Sequence, residues 1–62
     1  MWTSFKATVI KEEDGFYLVR LSDGTELTAK RSDPRQKVEI GKTLVCRSKN
    51  GFNYIVAVPY SV

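Results

Sequence analysis

Histidine is missing from this 62-residue chain, cysteine occurs once and proline twice. The first absence bears on chemistry. Without histidine, general acid–base work falls to carboxylates or lysines, whose pKa values need strong tuning to act near neutrality. A chain this short encloses little volume for such tuning. Cys46 has no histidine to activate it, and Ser4, Ser22, Ser32, Ser48 and Ser61 have no recognisable base partner. The four glycines stand singly, so no glycine-rich phosphate loop is present. Catalysis is not expected. Nor is a covalent or metal staple, because a lone cysteine has no partner and structural zinc takes about four Cys or His ligands. No cofactor and no metal are expected. The apolar runs fall far short of the roughly 20 residues that cross a bilayer. MWTSFKATVI lacks the charged start, apolar stretch and cleavage site of a signal peptide. The expected setting is a soluble, reducing one, most simply the cytoplasm, with no membrane partner.

What is present bounds the answer further. Length allows one domain, residues 1–62, and such a chain buries only about 60% of the surface its unfolded form exposes. Its net charge of +3 is unevenly spread. Residues 1–29 carry Lys6, Lys11 and Arg20 against Glu12, Glu13, Asp14, Asp23 and Glu26, a net of −2. Residues 30–62 carry seven cations against Asp33 and Glu39, a net of +5. Clustered positive charge favours polyanionic partners. The plainer reading is that the charge keeps a small protein soluble.

Periodicity predicts β structure nearly throughout. Phe5, Ala7 and Val9 alternate with Lys6 and Thr8, the period of a half-buried strand. Glu12-Glu13-Asp14-Gly15 reads as a solvated turn rather than a cation site. Residues 16–22, FYLVRLS, form a second strand. Asp23-Gly24 is a strong hairpin signal before a third strand from Thr25 to Lys30, with Leu27 and Ala29 on one side. Lys42 to Arg47 and Phe52 to Val58 make the fourth and fifth strands, joined at Asn50-Gly51 and ended by Pro59. Cys46 is expected as a small buried hydrophobe.

The segment RSDPRQKVEIG, residues 31–41, interrupts this pattern. Asp33 before Pro34 resembles an N-cap followed by proline at the first helical position. Only Arg35 to Glu39 can continue it, so a single helical turn or a loop is expected. Five short strands must curl and close to hide their edges. The predicted fold is therefore an all-β, small five-stranded barrel. The position of the bridge between strands 3 and 4 favours an OB-like barrel, with an SH3-like barrel as the alternative.

From Ala7 to Val58 the sequence resembles the small OB-folds of bacterial translation initiation factor one and its relatives among ribosomal RNA-binding domains. ATVIKEEDGFYLVRL resembles that group's first hairpin, ending in Val19-Arg20-Leu21. SDGTELTAK resembles its turn and third strand, and IGKTLVCR its glycine-basic entry into the fourth. The bridge from Arg31 to Glu39 is shorter than the group's usual one. The resemblance implies an OB-like fold and an RNA-binding role.

The resemblance implies that Tyr17, Val19 and Leu21 face inward and leave Phe16, Leu18 and Arg20 outside. An exposed Phe beside cations suits single-stranded nucleic acid, whose bases stack and whose phosphates need positive charge. The candidate binding residues are Phe16, Arg20, Lys30, Arg31, Arg35, Lys37, Arg47 and Tyr54, with Lys49 by the last turn and Phe52 sharing Tyr54's face. The expected ligand is single-stranded or structured RNA, or single-stranded DNA. Burial is nonetheless the commoner fate of aromatics such as Phe16, Phe52 and Tyr54, and surface lysines also protect edges. Trp2 is expected to pack over a barrel end. A rival reading is a small regulatory barrel that docks on a larger protein machine, through edge strands or the tail from Val56 to Val62. A monomer or a weak homodimer fits both readings.

Overall fold

The computed structural model describes residues 3–56. It forms five strands: β1 (Thr3–Glu13), β2 (Phe16–Arg20), β3 (Glu26–Arg31), β4 (Thr43–Lys49) and β5 (Phe52–Ile55). They close into a barrel in the order β1-β2-β3-β5-β4, with β4 returning to β1. Neighbours are antiparallel except β3 and β5, which run parallel. A three-stranded meander followed by a hairpin whose second strand lies beside the third gives the Greek-key connectivity of an OB-like barrel.

β1 serves both sides of the barrel. Thr3 to Thr8 pairs with β4, and Thr8 to Glu13 pairs with β2. The register slips between Val9 and Lys11, which leaves Ile10 as the extra residue of a bulge. Bulges bend and twist a strand, and this one lets a single 11-residue strand bridge the two halves. The strand also runs through Glu12 and Glu13, expected in the turn, so only Asp14 and Gly15 turn the chain. Their φ angles of 52° and 83° match the left-handed pair of a type I′ hairpin. Asn50 and Gly51, at 53° and 82°, repeat it between β4 and β5.

Asp23-Gly24 behaves differently from the expected two-residue turn. Gly24 N–H donates to Leu21 O at 3.0 Å, and Leu21 N–H donates to Thr25 O at 2.8 Å. The loop is therefore Ser22-Asp23-Gly24, a turn followed by a glycine bulge, and β2 ends at Arg20 rather than residue 22. Asp23 closes the loop by accepting from the Thr25 N–H at 2.9 Å. That bond holds its carboxyl below the usual range.

The bridge after β3 takes the form of a loop, not a helical turn. Gln36 N–H donates to Asp33 O at 2.9 Å, and Asp33 Oδ1 accepts from Arg35 N–H at 2.9 Å. Asp33 caps that one turn as its sequence position suggested, and the Arg35 backbone N–H and side chain hold its carboxyl low. The chain does not wind further because Val38 packs against the core, while Gly41 N–H donates to Val9 O at 2.7 Å.

Ala7, Val9, Tyr17, Val19, Ala29, Cys46 and Ile55 are buried, flanked by Phe5, Leu21, Leu27, Val38 and Leu44. Each strand contributes its alternate residues, as the period-2 pattern requires. Small side chains at Ala7, Ala29 and Cys46 suit the narrow lumen of five strands. Cys46 is fully buried, and burial pushes its thiol up, away from a reactive thiolate. β5 ends at Ile55, short of the expected Val58, with Val56 already outside the strand; the rest of that extension, with Trp2 and the tail from residue 57, lies outside the described residues. Among the described residues, no helix is long and apolar enough to cross a membrane.

Candidate nucleic-acid interface

The inward residues of β2 leave Phe16, Leu18 and Arg20 outside, as the alternation demands. Phe16 is 45% exposed and Phe52 is 62% exposed, so neither joins the core that usually claims aromatics in so small a protein. Both exposures have one local cause. Each Phe is the first residue after the glycine of a type I′ turn, and the strand phase is set further along by buried Tyr17 or Ile55. Tyr54 stands two places beyond Phe52 on the same outer face and is half-buried.

Cross-strand register brings these aromatics to cations. Tyr54 lies opposite Lys30 of β3 on one side and Arg47 of β4 on the other. Phe52 lies opposite Lys49. Lys30 reaches back toward β2, where its Nζ sits 5.4 Å from the centroid of the Phe16 ring. Strands neighbour each other at about 4.8 Å, so the row Phe16, Lys30, Tyr54, Arg47 spans roughly 14 Å around the barrel.

Two adjoining concavities follow this row. A shallow one of about 80 Å³ lies between Phe16, Lys30, Gly51 and Phe52. A wider one of about 510 Å³ is lined by Arg47, Lys49, Phe52 and Tyr54, with Ser32 and Val56 at its border. Phe52 lines both and joins them. Beneath the first runs the seam between β3 and β5, which pair at Lys30–Tyr54 and Arg31–Ile55. Above those pairs the seam is held by a side chain: Asn53 Nδ2 donates to Thr28 O at 3.1 Å. Asn53 was not among the residues the sequence singled out. Its polarity at an inward position of β5 was the available signal.

The remaining candidates are dispersed. Arg20 lies on the outer face of β2 but is bound to Glu26, with Nη2 and Nε at 2.7 and 3.1 Å from Oε2. Arg31 occupies the alternate position to Lys30, and its guanidinium donates to Gln36 O at 3.3 Å, tying the bridge to β3. It therefore does not extend the surface of Lys30, because successive strand residues face opposite ways. Arg35 pairs with Asp33 at 3.3 Å in the bridge, and Lys37 is exposed there. At the other border, Glu13 and Asp14 flank Phe16. The face thus grades from acidic beside the first hairpin tip to basic beside the last.

No protein-family model matches the chain, and neither a curated protein nor a solved structure matches it.

Proposed function

We propose that this protein is a non-catalytic nucleic-acid-binding module that holds single-stranded or structured RNA, or single-stranded DNA, on the outer face of β2, β3, β5 and β4. The observation that carries the reading is the interleaving of outer-face aromatics, two exposed and one half-buried, with cations: Phe16 with Lys30, Tyr54 with Lys30 and Arg47, Phe52 with Lys49. Cations draw in the phosphate backbone over distance, and aromatic faces then stack bases at roughly 1–3 kcal/mol each. Stacking tolerates any base, since every base has a π-face, so sequence preference is modest. The small concavity points the same way. Phe16 and Phe52 both border it, so it lies between two rings on which bases can stack.

The residues assigned to binding are Phe16, Phe52, Tyr54, Lys30, Arg47 and Lys49. Arg20 and Arg35 stand beside Glu26 and Asp33 and Arg31 faces away from the aromatic row, so position assigns these three to the general field alone. Titration of labelled RNA and DNA oligonucleotides at two salt concentrations tests the reading. Binding should weaken as salt rises, with a log–log slope near −0.7 for each phosphate neutralised on a single strand. Absence of binding at low salt would sink it.

A further inference from the structure

Phe16 and Phe52 offer similar rings at similar positions, but only one of them is covered. The Lys30 ammonium lies 5.4 Å from the centroid of Phe16, within cation–π range. Phe52 is the more exposed ring, and among the described residues no cation lies over it. Lys30 shares with both rings the same small concavity, which Phe16, Lys30 and Phe52 line.

Resting on the nucleic-acid reading above, we infer that Lys30 is an exchangeable cap on Phe16: it covers the ring in the free protein and passes to a phosphate when a base takes its place. Phe52 then acts as the platform that is open from the start. The physical chemistry favours the exchange. An exposed cation–π contact contributes roughly a two- to fivefold factor in an equilibrium. A stacked base contributes roughly five- to 150-fold, by the usual conversion of stacking energy to affinity. A strand supplies both partners at once, a π-face for Phe16 and an anion for Lys30, so neither group is left unpaired. A partner offering only an anion, or only an aromatic face, gains less. Lys30 is in this way a specificity-determining residue for ligands that carry a base and a phosphate together.

The exchange has a signature that simple contact does not. In the free protein the Lys30 ε-methylene protons, next to the ammonium that lies over the Phe16 ring, should be shifted upfield, and Phe16→Leu should abolish that shift. Addition of an oligothymidylate of about ten nucleotides, within the site size of one OB-fold, should remove it from the native protein. Affinities of the native protein, Phe16→Leu, Lys30→Met and the double variant then form a cycle. Losing the cap partly compensates each single change, so the double variant should lose roughly two- to fivefold more affinity than the single losses combined. Additive losses, a coupling of opposite sign, or a Lys30 shift that persists in the saturated complex would overturn the exchange while leaving the binding face intact. A native protein that binds no oligothymidylate and no oligouridylate would overturn the nucleic-acid reading itself, and the exchange with it.

Discussion

The two tight hairpin tips share one backbone and carry opposite charges. Asp14-Gly15 and Asn50-Gly51 have φ angles within a degree of each other at both positions, and each is followed by an exposed phenylalanine. Around the first stand Glu12, Glu13 and Asp14; around the second stand Arg47 and Lys49. The likeness is a demand of strand twist, which selects the I′ turn and hence Asn or Asp before Gly. The difference owes nothing to folding, since all these charges are outside. Local geometry puts an exposed phenylalanine at both tips, and under the proposed function charge decides which tip faces the polyanion.

The largest effect should come from reversing the charge of the second tip. Arg47→Glu combined with Lys49→Glu should lower oligonucleotide affinity on the order of a hundredfold at low salt and flatten the salt slope by about 1.4, the share of two phosphate contacts. Anisotropy titrations read both. The mirror change at the first tip, Glu12→Gln with Asp14→Asn, should tighten binding a few-fold, and a loss there would break the comparison.

Backbone identity makes the next prediction symmetrical. Alanine at Gly15 or at Gly51 meets no atom within 4 Å, so the penalty is conformational alone. Each substitution should cost about 1–2 kcal/mol, or roughly 4–8 °C in melting temperature per kcal/mol in a domain this small. Thermal melts that differ widely between the two would show that the tips are not equivalent as turns.

Arg20 serves as the control for charge without position. It belongs to the same strand as Phe16, yet Glu26 neutralises it at 2.7 Å and both side chains are about half exposed. Arg20→Gln should leave oligonucleotide affinity within about twofold and cost at most about 1 kcal/mol of stability, the usual range of an exposed pair. A marked affinity loss would extend the binding face to the far end of β2.

The smallest effect separates turns built by backbone from turns closed by a carboxylate. Asp23 and Asp33 have folded pKa values held below their unfolded ones, chiefly by the backbone N–H groups of Thr25 and Arg35. A depressed pKa contributes stability that is complete above the unfolded carboxylate value, near 3.9, and is lost as pH falls through the folded value. The Thr25 and Arg35 amide resonances should therefore move in acid below about pH 4. Asn50-Gly51, which has no carboxylate, should not respond over that range. A synchronous change at all these sites would indicate global unfolding instead.

Much of the fold was legible because strand alternation is a local property. Tyr17, Val19, Ala29 and Cys46 fall inside and Phe16, Leu18 and Arg20 outside, as period 2 requires. The bulge at Ile10 was not legible, since an extra residue leaves no mark in composition and is demanded by closure. The exposure of Phe16 and Phe52 ran against the general tendency of aromatics, although their place after Asp-Gly and Asn-Gly was visible. The partners of Arg20 and Arg31 could not be read, because Glu26 is six residues away in sequence and Gln36 sits in an irregular loop.

By itself the sequence determined one small all-β domain with positive charge concentrated in its second half, because hydropathy period and turn residues act over a few neighbours. Only the tertiary structure decided which of those charges stand together. Closing β5 between β3 and β4 sets Lys30, Tyr54 and Arg47 side by side, and so joins them to the Phe16–Lys30 contact that the β2–β3 hairpin makes locally. Adjacency across strands is fixed by register over the whole barrel, and register is a property of the closed fold rather than of any segment.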